Sequence, residues 1–598
     1  MVNNPVAPPP PNAKLTPWTF SADDLLSHFT PGKTPRPQQK HFLEQAAKAF
    51  AAGKRVVVGE LPTGAGKTDA CKTVANALRS VGKATFMLTS QKILQDQYAA
   101  DYPAPDIETL KGRSNYACTH RDAEPGQDAG DGVCRRTKKK GILGECVDSD
   151  QAQTFANQLQ VSVLQAAVGL HLPASCHRCP YWEQLQKTHD ASISLFNFSS
   201  FLFQQRIGRF PKRDLMIIDE AHNCESQLMN FVSLELTEWA LSIVNAKIDR
   251  EIRSKGEFLT WLAETDLVAE INRRLKAMEK DGEIGDDDAD DVDLSAAEKD
   301  ALEELQGKLA TFMAFLEKTE WVIEVQKFYS KRRQQEEKKI VARPLFAKDF
   351  AQDLLFRHAE RLVFMSATIL DVEVWARNLG LSMDEVELVR TPCDFPVENR
   401  LIWKEYCGNF AFKFFSRDQN PKDPTEPKFV AKVAEILARH KGQRGIIHTH
   451  TFNLSKILRD GVRTDRFLFQ DDFASKDDML EEHALRSDSV IVAPAMHEGL
   501  DLKGDLGRFA IIAKMPWPNM TDRVIKQRMD RDNAWYAWLC ALKIVQSYGR
   551  IIRSRDDWGT TYLLDNGFEH FLWKNSAVLP DWFHEALRKG SPKEVRRG

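Results

Sequence analysis

No stretch of this 598-residue chain reaches the roughly 18 consecutive apolar residues that a membrane span requires, which excludes a helical membrane protein. Surplus charge is lacking too. Lys and Arg number 82 against 85 Asp and Glu, a net charge of −3, so a nucleic-acid partner draws support only from local clusters. Proline and glycine are modest at 27 and 31, and 42% of the residues are hydrophobic; collagen and wholesale disorder are thereby excluded. There is no internal repeat. The first 14 residues hold five prolines and no apolar core, so neither a secretory signal nor an amphipathic transit peptide is expected. A soluble, cytoplasmic protein follows, whose ten cysteines serve as thiols or metal ligands rather than disulfides.

What is present is length enough for two large domains with insertions. Short apolar runs recur, each closed by Gly, Pro or polar residues: Val56-Val57-Val58, Leu215 to Ile218, Leu362 to Met365, Gly445-Ile446-Ile447, Val490-Ile491-Val492 and Phe509 to Ile512. They are continuous rather than alternating, the pattern of parallel strands buried on both faces. With helical patterns between them, the expectation is an α/β protein with parallel sheets. Two stretches break the rhythm. Residues 106–188 are rich in cysteine. Residues 235–343 read as all-helical, with Ser295 and Glu298 as a capping box and Leu302, Leu305, Leu309, Phe312 and Leu316 as an apolar seam.

Glu60-Leu61-Pro62-Thr63-Gly64-Ala65-Gly66-Lys67-Thr68 follows a strand-like run and precedes a helical one. Gly64 and Gly66 free backbone amides to curl around phosphate. Lys67 is suited to the β/γ oxygens of ATP and Thr68 to Mg²⁺. Leu61 stands where the strict pattern has glycine. Asp219-Glu220-Ala221-His222 closes the Leu215 run; an acidic pair at the C-terminal end of a parallel strand suits the metal (Asp219) and the attacking water (Glu220). Ser366-Ala367-Thr368 follows the Leu362 run. Gln546, Arg550 and Arg553 lie in one helical stretch, the two arginines three apart on a shared face, placed to meet a γ-phosphate across a cleft. Asp501, in Glu498-Gly499-Leu500-Asp501, is expected in the same cleft.

Five cysteines, Cys118, Cys134, Cys146, Cys176 and Cys179, fall within 62 residues. Cys176-His177-Arg178-Cys179 is a C-x-x-C clip. Four thiolates suit zinc or a [4Fe–4S] cluster equally well on bare chemistry. Beside them runs the basic segment Arg135-Arg136-Thr137-Lys138-Lys139-Lys140, either a solvated loop or a set of phosphate contacts; Lys331-Arg332-Arg333 reads the same way.

In this order the elements resemble superfamily 2 helicases with a DEAH box, and more narrowly the XPD/DinG family of iron–sulfur DNA helicases. Arg36-Pro37-Gln38-Gln39 resembles that family's adenine-side motif, which assigns Arg36 and Gln39 to the nucleotide. Thr89 to Gln97 resembles the motif that touches the DNA strand, and Gly112 to Cys118 the segment delivering the first cluster cysteine. Phe196-Asn197-Phe198, His497 to Asp501 and Lys514-Met515-Pro516-Trp517-Pro518 fit as well, while Ile447-His448-Thr449-His450 departs where a Phe and a Ser are usual.

The resemblance implies two RecA-like motor domains, the first interrupted by a cysteine-rich cluster domain and a helical arch. The expected layout is a flexible lead-in at 1–34, the first motor at 35–105, 189–234 and 344–385, the cluster domain at 106–188, the arch at 235–343 and the second motor at 386–598. It implies 5′→3′ translocation on single-stranded DNA, forked DNA as substrate, and a [4Fe–4S] cluster on Cys118, Cys134, Cys176 and Cys179, with Cys146 as the alternative to Cys134. A zinc or vestigial site is the rival reading. The chain is expected to act as a monomer, and a phage, plasmid or CRISPR-associated member of this family would add an accessory or CRISPR effector complex. Three rival functions stay open: an RNA–DNA hybrid or RNA unwinder, a non-catalytic nucleic-acid-binding module with a degenerate ATPase and, last, a fused nuclease, for which no extra domain with spaced acidic residues is found.

Overall fold

The structure is a computed structural model; it describes residues 15–62, 64–119, 123, 125–129, 179–206, 208–280, 296–330, 333–494, 502–552 and 555–596. All six apolar runs are buried strands. In chain order come β1 (Val56–Glu60), β2 (Thr85–Thr89), β3 (Glu108–Leu110), β4 (Ile193–Asn197) and β5 (Arg213–Asp219), then β6 (Leu234–Thr237), β7 (Trp321–Ser330) and β8 (Gln335–Pro344), then β9 (Ala359–Ser366) and β10 (Val386–Arg390). The second half holds β11 (Ile402–Gly408), β12 (Gly445–His448), β13 (Phe467–Phe469), β14 (Val490–Ala493), β15 (Phe509–Ile512), β16 (Thr560–Asp565) and β17 (Leu587–Lys589).

Two seven-stranded sheets result, ordered β10-β1-β9-β5-β2-β4-β3 and β13-β14-β12-β15-β16-β11-β17. Every pairing in both is parallel. Helices cover both faces, which is why the central strands are apolar throughout: Val56, Val58, Leu362 and Phe364 face one buried cluster, Val57, Val363 and Met365 the other. Gly59 in β1 is a packing requirement, since a Cβ there would lie 2.5 Å from the Met365 sulfur and 2.7 Å from the Phe42 ring. These are two RecA-like domains. No helix among the described residues is long and apolar enough to cross a membrane.

Three expectations are corrected. The arch is not all-helical: β6, β8 and β7 form an antiparallel sheet in that order, on which the helices pack. The reading failed because Trp321-Val322-Ile323-Glu324-Val325 is a short mixed run whose β-branched content was outweighed by the helical pattern before it. The Leu302 seam does lie on a helix, Ala296–Phe315, and its side chains bury into the arch core as an ordinary core helix; Ser295 and the acidic run after Gly285 lie outside the described residues. Over its described residues, 15–34, the lead-in expected to be flexible is packed on the first domain. Leu25 is fully buried, Trp18 packs on Phe50 with centroids 4.6 Å apart, and Thr16 binds Glu360. The apolar residues Trp18, Phe20, Leu26 and Phe29 shield the helix Pro37–Ala51. Finally, β10 pairs with β1, so the first sheet runs through Arg390 rather than ending at 385.

The two halves share one apolar cluster, in which Phe364 and Trp375 of the first meet Trp538 and Tyr548 of the second. Next to it sits a buried ion pair, Glu225 with Arg528, supported by Trp535 Nε1 donating to Glu225 at 3.3 Å and by Arg528 stacked 3.8 Å over the Trp535 ring. Burial pushes the Glu225 carboxyl up, and the Arg528 guanidinium opposes that rise. Glu225→Ala strands the arginine without its counter-charge and is expected to destabilise the fold by about 3–5 kcal/mol, read as a lowered urea midpoint; an unchanged midpoint would show that water reaches Arg528.

Candidate nucleotide cleft

The phosphate loop leaves the C-terminal end of β1. Gly64 and Gly66 both have left-handed backbone, at φ 82° and 81°, and Gly66 caps the helix Lys67–Ser80. The resulting helix start is where backbone amides converge on an anion. Gln39 fastens this loop: its Nε2 donates to the Gly66 carbonyl at 2.8 Å, and a Cβ on Gly66 would come within 2.2 Å of it. Arg36 reaches the Gly64 carbonyl. Both residues assigned to the base side of the nucleotide therefore touch the phosphate loop itself.

Asp219 ends β5, which is separated from β1 only by β9. It is 7% exposed. Burial pushes its carboxyl up, the neighbouring Glu220 charge adds to that, and Lys67 opposes it. Glu220 turns sharply away with φ 51°, its own amide hydrogen-bonded to Asp219 Oδ1 at 2.9 Å. That turn separates the two carboxylates, one held in the interior and one turned to the cleft. His222 Nδ1 lies 3.4 Å from Glu220 Oε2 and 2.8 Å from Ser366 Oγ, tying the acidic turn to the Ser366-Ala367-Thr368 turn.

Two features escaped the sequence reading. Tyr98, on the helix Lys92–Asp101, is 2% exposed and donates to Asp219 Oδ2 at 3.0 Å, with Thr68 as a second hydrogen-bond neighbour. One phenol thus bridges the two residues suited to a metal. The only sequence signal was a polar atom on the buried side of that helix. The second is Glu60. Its Oε1 accepts from the amides of Ile369 and Leu370 at 2.8 and 2.9 Å, and its Oε2 from Arg390 Nε at 2.6 Å. This holds Leu370 at φ 64°, a strained value for a side-chain-bearing residue. Tyr98→Phe keeps the ring packing and removes the donor. We expect about a tenfold loss of ATP turnover, one to two hydrogen bonds' worth, with a higher Mg²⁺ concentration needed for half-maximal rate. An unchanged Mg²⁺ requirement would make Tyr98 merely structural.

The facing wall comes from the helix Asn533–Tyr548, whose Trp538 Nε1 donates to the Ile369 carbonyl at 2.7 Å. Gln546 lies in its last turn, but the helix stops at Tyr548 and Arg550 falls in the turn beyond it rather than on the one helical stretch expected; Arg550 Nε donates to the Gln546 carbonyl at 3.1 Å. Together with Glu60, Glu220, His222 and Thr368 they line a cavity of about 630 Å³ between the two sheets. Burial, and then the nearby Arg550 charge, hold the Lys476 ammonium below its ordinary value. Arg553 and Asp501 lie outside the described residues.

Of the five clustered cysteines, Cys118 and Cys179 are described; Cys134, Cys146 and Cys176 and the basic run 135–140 are not. Cys118 follows a short antiparallel bridge, Ala117 to Asp128, and its amide donates to the Gln127 carbonyl at 2.8 Å. Cys179 caps the helix Pro180–Asp190. The two segments are joined by Tyr116 against Tyr181 at 5.7 Å, with Arg113 stacked on Tyr181 and Trp182. These aromatics therefore pack between the segments that carry Cys118 and Cys179. Among the described residues no group of three or more His, Cys, Asp or Glu is placed to hold a metal.

A phosphate loop, an acidic strand end and a helix bearing Gln546 with Arg550 just past its end, set between two RecA-like sheets, make this a two-domain helicase fold. The comparisons agree. The DEAD_2 family model matches residues 91–241 and the helicase C-terminal domain model residues 430–586. The chain is 24% identical to the ATP-dependent DNA helicase YoaA of Escherichia coli K12, over 92% of this chain and 94% of that one. It is 21% identical to the ATP-dependent DNA helicase XPD of Sulfolobus acidocaldarius, over 76% and 82%. A solved XPD helicase superposes with a TM-score of 0.57 at 15% identity, covering 93% of this chain and all of the other; Xpd4 of S. tokodaii gives 0.53 at 13%, covering 93% and 100%. The chain belongs to the XPD/DinG-like helicase family.

Proposed function

We propose that the chain is an ATP-dependent DNA helicase that moves 5′→3′ on single-stranded DNA and unwinds the duplex ahead of it. The observation that carries the reading is a cavity of about 630 Å³ in which Glu60 and Pro62, at the entry to the phosphate loop, and Glu220 line one wall and Gln546 and Arg550 the other. In-line phosphoryl transfer needs little covalent help from the protein and much positioning of charge. Gly64, Gly66 and Lys67 hold the phosphates; Thr68 and Asp219 hold Mg²⁺, which when bound neutralises charge on the β/γ oxygens. Glu220 orients the attacking water, and Arg550, with Arg553, meets the γ-phosphate from the second domain. Arg36, Gln39 and Asp501 complete nucleotide binding. The Glu60–Ile369–Trp538 chain of hydrogen bonds links the phosphate loop to the helix that carries Gln546, a route by which nucleotide state reaches the second domain.

Cys118, Cys134, Cys176 and Cys179 are the proposed thiolates of a [4Fe–4S] cluster, which when bound staples the cysteine-rich insertion into a rigid block at the fork. Cys134→Ala is expected to abolish the broad cluster absorbance of anaerobically purified protein and Cys146→Ala to spare it. The reverse would exchange the fourth ligand; bound zinc, or no metal, in the wild type would end the cluster assignment.

The test of the whole reading is ATP-dependent strand displacement on forks with only a 5′ tail or only a 3′ tail, with Lys67→Ala as control. Release from the 5′-tailed DNA fork alone, lost in the variant, is expected. Release from the 3′ tail alone would reverse the polarity. Preference for an RNA–DNA hybrid fork would change the substrate, and an ATPase indifferent to nucleic acid would leave only a binding module.

A further inference from the structure

The arch hairpin presents a feature that the cleft chemistry does not use. Along β7 and β8 one face carries the register pairs Ile323–Ala342, Val325–Ile340, Lys327–Lys338 and Tyr329–Glu336. Near the root this face is core, with Ile323, Ala342 and Ile340 buried against the arch helices. Beyond the core it changes character. Lys327 and Lys338 stand directly opposite each other, the arrangement of like charges that destabilises a hairpin. Among the described residues neither ammonium has an ion-pair partner, although the adjacent Lys339 pairs with Glu235 at 2.9 Å and Arg333 with Glu337 at 3.3 Å. Next to the lysines Tyr329 is 59% exposed, its hydroxyl hydrogen-bonded to Gln334 at 3.1 Å, which leaves the ring face open. Two unneutralised cations beside an open aromatic face match a single strand, phosphates on the lysines and a base on the ring.

The root of the same hairpin is fastened to the second domain. Arg523 donates to the Ile323 carbonyl at 2.9 Å, Arg343 meets Asp522 at 2.6 Å, and Val322, Leu345 and Val524 form a small apolar cluster. The outer half of the hairpin therefore projects from the joint between arch and second domain, and whatever it grips is referred to that domain.

We propose that Lys327, Lys338 and Tyr329 form a single-strand contact of the arch, two phosphates and one stacked base. The proposal rests on the nucleic-acid reading above. Its test is equilibrium binding of oligo-dT by the full-length protein over a range of salt concentrations, comparing wild type, Lys327→Gln/Lys338→Gln and Tyr329→Ala. Each lost phosphate contact on a single strand lowers the slope of log K against log salt by about 0.7, so the double variant should lose about 1.4. Tyr329→Ala should weaken binding by about 5- to 150-fold and leave the slope unchanged. Nucleic-acid-independent ATP turnover and the thermal midpoint should stay at wild-type values in both. A wild-type slope in the double variant, with wild-type binding intact, would overturn the hairpin contact alone. Failure of the wild-type chain to bind oligo-dT would overturn both it and the reading on which it rests.

Discussion

Arg550→Ala is expected to lower nucleic-acid-stimulated ATP turnover by about 10³-fold or more, with nucleotide affinity nearly unchanged. The magnitude is that of an arginine supplied to a phosphoryl transition state from a second domain, and a 10³-fold loss corresponds to about 4 kcal/mol of barrier. The affinity should hold because the phosphate loop, Lys67 and Gln39 all belong to the first domain and Arg550 to the second. Arg550 hangs from the end of a helix anchored by Trp538 on the Ile369 carbonyl, so its distance from the phosphate loop depends on how the two sheets sit against each other. Fluorescent nucleotide titration beside steady-state turnover separates the two effects. A variant that loses affinity and keeps its maximal rate would place Arg550 in ground-state binding instead.

Glu220→Gln is the second large effect. The substitution keeps the shape of the side chain, and the backbone turn at φ 51° is set by the Glu220 amide on Asp219, which glutamine retains. What is lost is the negative charge that orients and polarises water, worth about 10²- to 10⁴-fold in rate for such a group. Magnesium-dependent nucleotide binding should survive, because Asp219 and Thr68 are untouched. A Glu220→Gln variant retaining more than about a tenth of the rate would move the water-activating role elsewhere, with His222, 3.4 Å from Glu220, first in line.

The phosphate-loop and acidic-turn geometry of the first domain was legible because each is written in consecutive residues. A phosphate loop needs its glycines, lysine and threonine within one turn and one helix start, and the acidic pair must end a buried strand. The same holds for the six apolar runs, since a parallel strand covered on both faces has no polar side to confuse the pattern. The β-hairpin of the arch was not legible. Its inner half is a short apolar run and its outer half, Gln326 to Ser330, is largely polar, so neither period dominates over ten residues. The packed part of the N-terminal segment was hidden for another reason: Trp18 and Leu25 lie among prolines and polar residues, and only the exposed flank of the helix Pro37–Ala51 gives them something to cover.

What the sequence by itself determined is the pair of parallel sheets and the local motifs at the ends of their strands, because each is a local requirement met by neighbours in sequence. What only the tertiary structure decided is which distant groups share an atom-to-atom contact. Tyr98 reaches Asp219 across 121 residues and Glu60 reaches Ile369 across 309, in both cases because the strand order places β2 beside β5 and β1 beside β9. Sheet order is a property of the whole chain, fixed by how all the helices and strands bury their apolar faces together, and no window of sequence contains it.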